Sequence, residues 1–146
     1  LRNTYSENNL MHPGKIHLKG QPLDLGRIRL DIYAVGAEKD HIVPWDAAWR
    51  ITQLMGGRTR FVVASSGHIA GMINPPGGKG TYWTGEGKEE TPETWRKAAE
   101  RHDGSWWTDW SCWLAARAGE TVRPPPMGSA SYPPLLDAPG SYVLEK

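Results

Sequence analysis

Hydrophobic positions in the first half of the chain predict two strands joined by a helix. Apolar residues alternate and then run together over about 29–35, which predicts a strand. After Pro44 they recur with a helical period as far as Met55, where a pair of glycines ends the pattern. A continuous apolar run over 59–64 follows, as is typical of a parallel strand buried on both faces. We therefore predict a βαβ unit with parallel strands.

The pattern is less regular in the rest of the chain. The other predicted elements, in chain order, are a short helix over 1–10, a hairpin that turns at Lys19-Gly20-Gln21, a loop over 74–91, a helix from a cap at Thr91 to about Arg101, and a tryptophan-faced helix from a cap at Ser105 to Gly119. From Thr121 onward proline, glycine and serine predominate, which predicts an extended or partly disordered tail. We therefore divide the chain into a globular part, 1–119, and a Pro/Gly-rich tail, 120–146.

The composition is that of an ordinary globular chain and argues against several functions. Of the 146 residues, 38% are hydrophobic and 23% are charged, which provides enough apolar material for a packed core. A net charge of +1 without any lysine- or arginine-rich run argues against a nucleic-acid partner. No apolar stretch is long enough to predict a membrane span. The single cysteine, Cys112, fits a reducing, cytoplasmic setting, and its helical context predicts a buried or partly buried packing residue.

An acidic residue and a histidine follow the two predicted parallel strands. Asp40 lies just past the first strand and His68 just past the second. Because the loops after parallel strands meet at one edge of a sheet, the two side chains can come within hydrogen-bond reach. In such a pair the imidazole acts as a general base, and the carboxylate fixes its tautomer. We expect Gly67 and Gly71 to let the backbone turn so that the His68 ring points into the site.

The order of these two residues matches the second part of the nucleophile, acid, histidine order of α/β-hydrolases. Neither a Gly-x-Ser-x-Gly nor a Gly-x-Cys-x-Gly segment occurs in the sequence. We therefore expect the nucleophile to lie in sequence before Leu1 and this chain alone to be inactive. His41 competes with His68 as the partner of Asp40, and we assign it a structural role. A metal site on these three residues would lack the ligand spacing typical of zinc, so we predict no metal.

Four segments resemble the C-terminal part of the poly(3-hydroxyalkanoate) synthases of the short-chain, class I type. They are DHIVPW at 40–45, SGHIAGMINPP at 66–76, GSWWTDWSCWL at 104–114 and APGSYV at 138–143. The resemblance implies the C-terminal portion of an α/β-hydrolase fold, with a βαβ unit, C-terminal helices and an incomplete sheet. It also implies an acyltransferase that polymerises (R)-3-hydroxyacyl-CoA, mainly 3-hydroxybutyryl-CoA, into polyester with release of CoA, without a cofactor.

The resemblance also implies roles and partners. The family's nucleophile is a cysteine, and the acid and the histidine of its triad correspond to Asp40 and His68. His68 would deprotonate the cysteine, while Asp40 would orient His68 or activate the 3-hydroxyl of the incoming unit; both roles remain open. The implied partners are (R)-3-hydroxyacyl-CoA, the growing polyester, the N-terminal part of the parent chain and a second copy in a homodimer of the parent. The implied location is cytoplasmic, at the surface of polyester granules.

Two other functions fit the residues. A serine in place of the missing cysteine would make the parent a hydrolase or depolymerase. The tryptophan-rich stretch 81–114 would alternatively serve as a docking module for polymer, a granule protein or a second subunit. The apolar faces of both predicted strands also predict an exposed sheet edge, so we expect the chain to self-associate unless the rest of the parent or a second copy covers that edge.

Overall fold

The computed structural model describes residues 1–145 and divides the chain into two units. The first unit, Leu1–Ala116, contains every described strand and α-helix. The second begins at Arg117, and its described part is irregular apart from one short 3-10 helix, Tyr142–Leu144. Its proline- and glycine-rich sequence has no periodic pattern of apolar residues that a helix or strand could bury, which accounts for the lack of regular structure. The acid and the histidine both lie in the first unit.

The first unit contains a small hairpin and a four-stranded mixed sheet. The strands are β1 (His17–Leu18) and β2 (Gln21–Pro22) in the hairpin, and β3 (Ile32–Ala37), β4 (Thr59–Ala64), β5 (Thr81–Gly85) and β6 (Glu100–Asp103), in that order, in the sheet. β3 and β4 are parallel, with Ile32 opposite Thr59 and Ala37 opposite Ala64. The other two neighbouring pairs are antiparallel. The predicted βαβ unit with parallel strands is confirmed, and so is the hairpin.

Helices cover both faces of the sheet. They are α1 (Trp45–Trp49), α2 (Ile51–Leu54), α3 (Pro92–Ala98) and α4 (Trp106–Ala115). α1 and α2 replace the single helix predicted between β3 and β4. The predicted caps are present: the Thr91 hydroxyl accepts from the N–H of Thr94, and the Ser105 hydroxyl accepts from the N–H of Trp107. None of the helices within residues 1–145 has the length and apolar content required to cross a lipid bilayer.

Two aromatic clusters form the core, one on each face of the sheet. The first consists of Trp49, Phe61, Val63 and Trp95, and the second of Val62, Ala64, Tyr82 and Trp106. The side chains of β4 therefore alternate between the two clusters, as expected for a central strand buried on both faces. Gly36 lets α1 pack close to β3, because a Cβ atom at this position would lie 3.1 Å from the Cβ of Trp45.

Several predicted elements were wrong. The predicted loop over 74–91 contains β5. Tyr82 and Thr84 alternate with less buried residues in this strand, but the pattern is short and flanked by glycines, so it does not indicate a strand by itself. The helix predicted to end near Arg101 ends at Ala98, because after Ala99 the residues Glu100–Asp103 pair with β5 as β6. Where the end of a short helix was predicted over 1–10, the structure has two short helical segments, a π-helix at Arg2–Ser6 and a 3-10 helix at Asn9–Met11. The last helix ends at Ala115, before Gly119.

Candidate active site

The loops that follow β3 and β4 begin side by side. Two backbone hydrogen bonds continue the parallel ladder beyond the strands: the N–H of Glu38 donates to the carbonyl of Ala64 at 2.8 Å, and the N–H of Lys39 donates to that of Ser66 at 3.1 Å. The two segments then leave the sheet at the same edge, as the ends of parallel strands do. The next residues in each loop carry the acid and the histidine.

Asp40 and His68 meet at this edge. Nδ1 of His68 lies 2.8 Å from Oδ2 of Asp40, so the approach predicted from the order of the strands is observed. The Asp40 side chain is 6% exposed, whereas that of His68 is 45% exposed. The carboxylate is thus covered by protein, and the ring reaches from it toward the surface.

The other carboxylate oxygen is held by the loop's own backbone. Oδ1 of Asp40 accepts hydrogen bonds from the N–H groups of Ile42 and Val43, each at 2.9 Å. The N–H of Val43, together with His68 and the N–H of Ile42, lowers the pKa of Asp40 to about 2 and outweighs the opposing effect of desolvation. Asp40 is therefore a fixed carboxylate at neutral pH.

This carboxylate determines what His68 can do. An ionised carboxylate only accepts hydrogen bonds, so Nδ1 of the His68 ring must carry the hydrogen and donate it in the bond to Asp40. In the neutral ring Nε2 then keeps its lone pair, and the exposed part of the ring offers that lone pair to a reacting group. A carboxylate paired with an imidazole in this way is the arrangement that serves as acid and base in acyl-transfer sites.

His68 lies in a tight turn, residues 67–73, which we call the His68 turn. This turn requires a glycine for lack of room beside the backbone, not for an unusual backbone angle. The N–H of Gly71 donates to the carbonyl of Gly67 at 2.7 Å. Neither glycine has a left-handed φ, so the expected conformational role of these residues was wrong. A Cβ atom at position 71 would lie 2.7 Å from the Gly67 oxygen and 2.8 Å from the Cβ of Ala37. Gly71 is required because the turn packs directly on the end of β3.

Sequence reasoning missed two side chains that bind this turn. The indole N–H of Trp106 donates to the carbonyl of Gly71 at 2.8 Å, and that of Trp107 donates to the carbonyl of Met72 at 2.9 Å. The pattern indicated only that tryptophans cover one side of the helix. The only sequence signal for these contacts was that Trp106 and Trp107 directly follow the Ser105 cap, at the start of the helix.

Other candidates do not join the site. His41 is exposed, and in the described residues no hydrogen bond joins its side chain to Asp40, whose side-chain partner is His68. Cys112 is exposed on α4, so its predicted role as a buried or partly buried packing residue was wrong. Within residues 1–145, no group of three His, Cys, Asp or Glu side chains is placed to hold a metal ion.

The low pKa of Asp40 leads to a prediction for its titration. The folded-state pKa of about 2 lies below the value of about 3.9 for an unperturbed aspartate, so the carboxylate stabilises the fold above about pH 4. That contribution is lost as the pH falls through about 2. A ¹³C NMR titration of the Asp40 side-chain carboxyl should give a midpoint near 2. A midpoint near 4 would show that the backbone N–H groups do not hold this carboxylate in solution.

Comparisons with curated proteins give close relatives along the whole chain. It is 46% identical over 148 residues to the poly(3-hydroxyalkanoate) polymerase subunit PhaC of Cupriavidus necator, covering 100% of this chain and 25% of the relative. It is 45% identical over 141 residues to poly(3-hydroxyalkanoate) polymerase 2 of Ectopseudomonas oleovorans, covering 95% and 25%. The PhaC subunit of Rhizobium etli is 37% identical over 147 residues. No family model matches the chain. The chain spans about a quarter of the length of these relatives.

Proposed function

Since this chain is homologous along its length to the C-terminal part of poly(3-hydroxyalkanoate) polymerases, we propose that it supplies the acid and the base of their acyl-transfer site. The observation that carries the proposal is the 2.8 Å contact between Nδ1 of His68 and Oδ2 of Asp40 at the ends of two parallel strands. The names of these relatives favour polymerisation over the alternatives of a serine-dependent hydrolase or a docking module.

The proposed reaction begins with a cysteine thiol supplied by the polymerase outside these residues. Nε2 of His68 takes the thiol proton, and the thiolate attacks the thioester carbonyl of an (R)-3-hydroxyacyl-CoA. The carbon–sulfur bond to CoA breaks, and the leaving thiolate takes the proton back from the imidazolium. The 3-hydroxyl of a second unit then loses its proton to the base and attacks the acyl-enzyme carbonyl. The carbon–sulfur bond to the enzyme cysteine breaks, and the cysteine thiolate takes the proton from the imidazolium, so the polyester is extended by one ester bond and the thiol is restored.

Asp40 supports both steps in this proposal. Its carboxylate orients the His68 ring and stabilises the imidazolium that forms when Nε2 is protonated. In this proposal His68 also takes the 3-hydroxyl proton, so Asp40 acts in both steps by orienting His68. The Ile42 and Val43 N–H groups hold the carboxylate in this position.

The sheet has an unpaired edge where the rest of the polymerase would continue it. Within the described residues β3 pairs only with β4, so its other side offers unpaired backbone groups. We propose that strands from the remainder of an α/β-hydrolase sheet cover this edge and that the nucleophile comes with them. The loops beside the site also expose Ile42 and Ile69, at 62% and 71%, as surface for such a partner.

The experiment that tests the proposed function compares products. The polymerase containing this segment is incubated with (R)-3-hydroxybutyryl-CoA, and CoA, polyester and free 3-hydroxybutyrate are measured. We expect CoA release to be matched by polyester. CoA release matched instead by free 3-hydroxybutyrate would contradict polymerisation and favour a hydrolase.

Residues 1–146 alone should release no CoA above background, because the one cysteine lies exposed on α4 and has no contact with His68 in the described residues. The matched control is the Cys112→Ser variant. Turnover that survives this change would reveal another nucleophile within the chain. Turnover that the change abolishes would show that Cys112 is itself the nucleophile.

A further inference from the structure

We propose that Trp106 and Trp107 are positioning residues that hold the His68 turn against the sheet. This inference rests on the proposed function, because it concerns how the base of that site is held. The two indoles act through the backbone of the turn and do not touch the reacting groups. Together with Ser105 they form what we call the α4 clamp, residues 105–107.

Apart from the close approach of the Gly71 backbone to the end of β3, the turn makes few packing contacts. His68, Ile69 and Ala70 are all exposed, and Ile73 is 66% exposed. Of its residues only Gly71 is buried, and glycine has no side chain to anchor the segment. Without apolar anchors, the placement of the turn depends on hydrogen bonds to its backbone.

The α4 clamp provides three such bonds along the turn and the segment that follows it. The indole N–H groups of Trp106 and Trp107 donate to the carbonyls of Gly71 and Met72 at 2.8 and 2.9 Å. The Ser105 hydroxyl donates to the carbonyl of Asn74. The bond from Trp106 is buried, so losing it would leave an unpaired carbonyl in the interior.

The clamp is itself fixed to the sheet. Trp106 is 9% exposed and packs in the cluster with Val62 and Tyr82. Its ring lies 6.2 Å from that of Tyr33 on β3, the strand that leads to Asp40. The indole therefore links the turn that carries the base to the strand that leads to the acid, through side chains packed in the core.

The test replaces the donors while keeping aromatic rings. In the full polymerase, Trp106→Phe and Trp107→Phe each remove one N–H, and Trp110→Phe is the matched control. Trp110 lies on the same helix and is 37% exposed, and no hydrogen bond joins it to the His68 turn in the described residues. Initial rates with (R)-3-hydroxybutyryl-CoA are measured well below the melting temperature of every variant.

We expect Trp106→Phe to lower kcat by about tenfold to a hundredfold, because small misplacements of a catalytic group cost that much, with KM changed less than about twofold. Trp107→Phe should act in the same direction, and Trp110→Phe should leave kcat unchanged. The NMR signal of the His68 Nδ1 proton should broaden in Trp106→Phe and Trp107→Phe, since the bond to Asp40 then opens more often. A purely structural role would lower the melting temperature without changing this signal in the folded protein.

The outcomes separate this inference from the proposed function. Wild-type kcat and an unchanged Nδ1 signal in both clamp variants would overturn the positioning role, while loss of activity in His68→Gln would still support the site. If His68→Gln keeps full activity, the proposed function fails regardless of the clamp. If Trp106→Phe does not fold, the Trp107→Phe variant provides the test, because Trp107 is only half-buried and its replacement disturbs the core less.

Discussion

Replacing Asp40 with asparagine in the full polymerase should lower kcat for CoA release by about 10⁴-fold, the loss seen when a triad carboxylate becomes an amide. The amide keeps the size of the side chain and one oxygen. It can still accept from the Ile42 and Val43 N–H groups, so the loop should keep its shape. What changes is the group that faces Nδ1 of His68.

An amide N–H₂ facing Nδ1 would favour the ring tautomer with its proton on Nε2. That tautomer has no lone pair on the outward nitrogen and cannot take a proton from a thiol. The imidazolium would also lose the neighbouring negative charge. Steady-state CoA release at saturating (R)-3-hydroxybutyryl-CoA measures the effect, with His41→Gln as the matched control because His41 is exposed in the same loop. Activity within about tenfold of wild type would contradict the role of Asp40.

The second large effect concerns stability. Trp95→Ala should lower the free energy of unfolding by about 3–5 kcal/mol, as expected for removing a large aromatic side chain from a core. Trp95 is 0% exposed, its ring centroid lies 4.9 Å from that of Phe61, and it packs in the cluster beneath α1 and α3. Alanine would leave a cavity that the neighbouring rings cannot close.

Trp95→Phe provides the matched control. The indole N–H of Trp95 has no hydrogen-bond partner within residues 1–145, so phenylalanine removes a buried unpaired donor while keeping most of the ring. We expect it to cost much less than alanine. Urea unfolding monitored by circular dichroism gives the free energy of unfolding of the wild type and of both variants, compared at a common m-value. A loss below about 1 kcal/mol in Trp95→Ala would show that this side chain is not part of the core in solution.

The candidate site could be predicted from the sequence because parallel strands impose a simple rule. Two apolar runs separated by a helical period indicate a βαβ unit, and residues directly after its strands must meet at one edge. Asp40 and His68 follow β3 and β4 so closely that small errors in the strand limits did not matter. The first strand was predicted at about 29–35 and lies at Ile32–Ala37.

The rest depended on tertiary pairing, which a local pattern does not reveal. β6 contains four polar or charged residues, Glu100–Asp103, and is a strand only because β5 lies beside it. The α4 clamp was missed for a similar reason, since helical spacing indicates which side of a helix carries tryptophans but not where their N–H groups point. The exposure of Cys112 likewise follows from how the short α4 sits on the sheet.

The role of His68 as the base is tested most directly by measuring the rate of the first acyl transfer. With polymerase in excess over (R)-3-hydroxybutyryl-CoA, rapid-quench measurement of CoA in a single turnover isolates the step in which Nε2 of His68 takes the thiol proton. The proposed role predicts that His68→Gln slows this step by at least about 10²-fold, the contribution typical of a general base, whereas His41→Gln leaves it unchanged. A wild-type rate of CoA release in His68→Gln would contradict the assignment of His68 as the base.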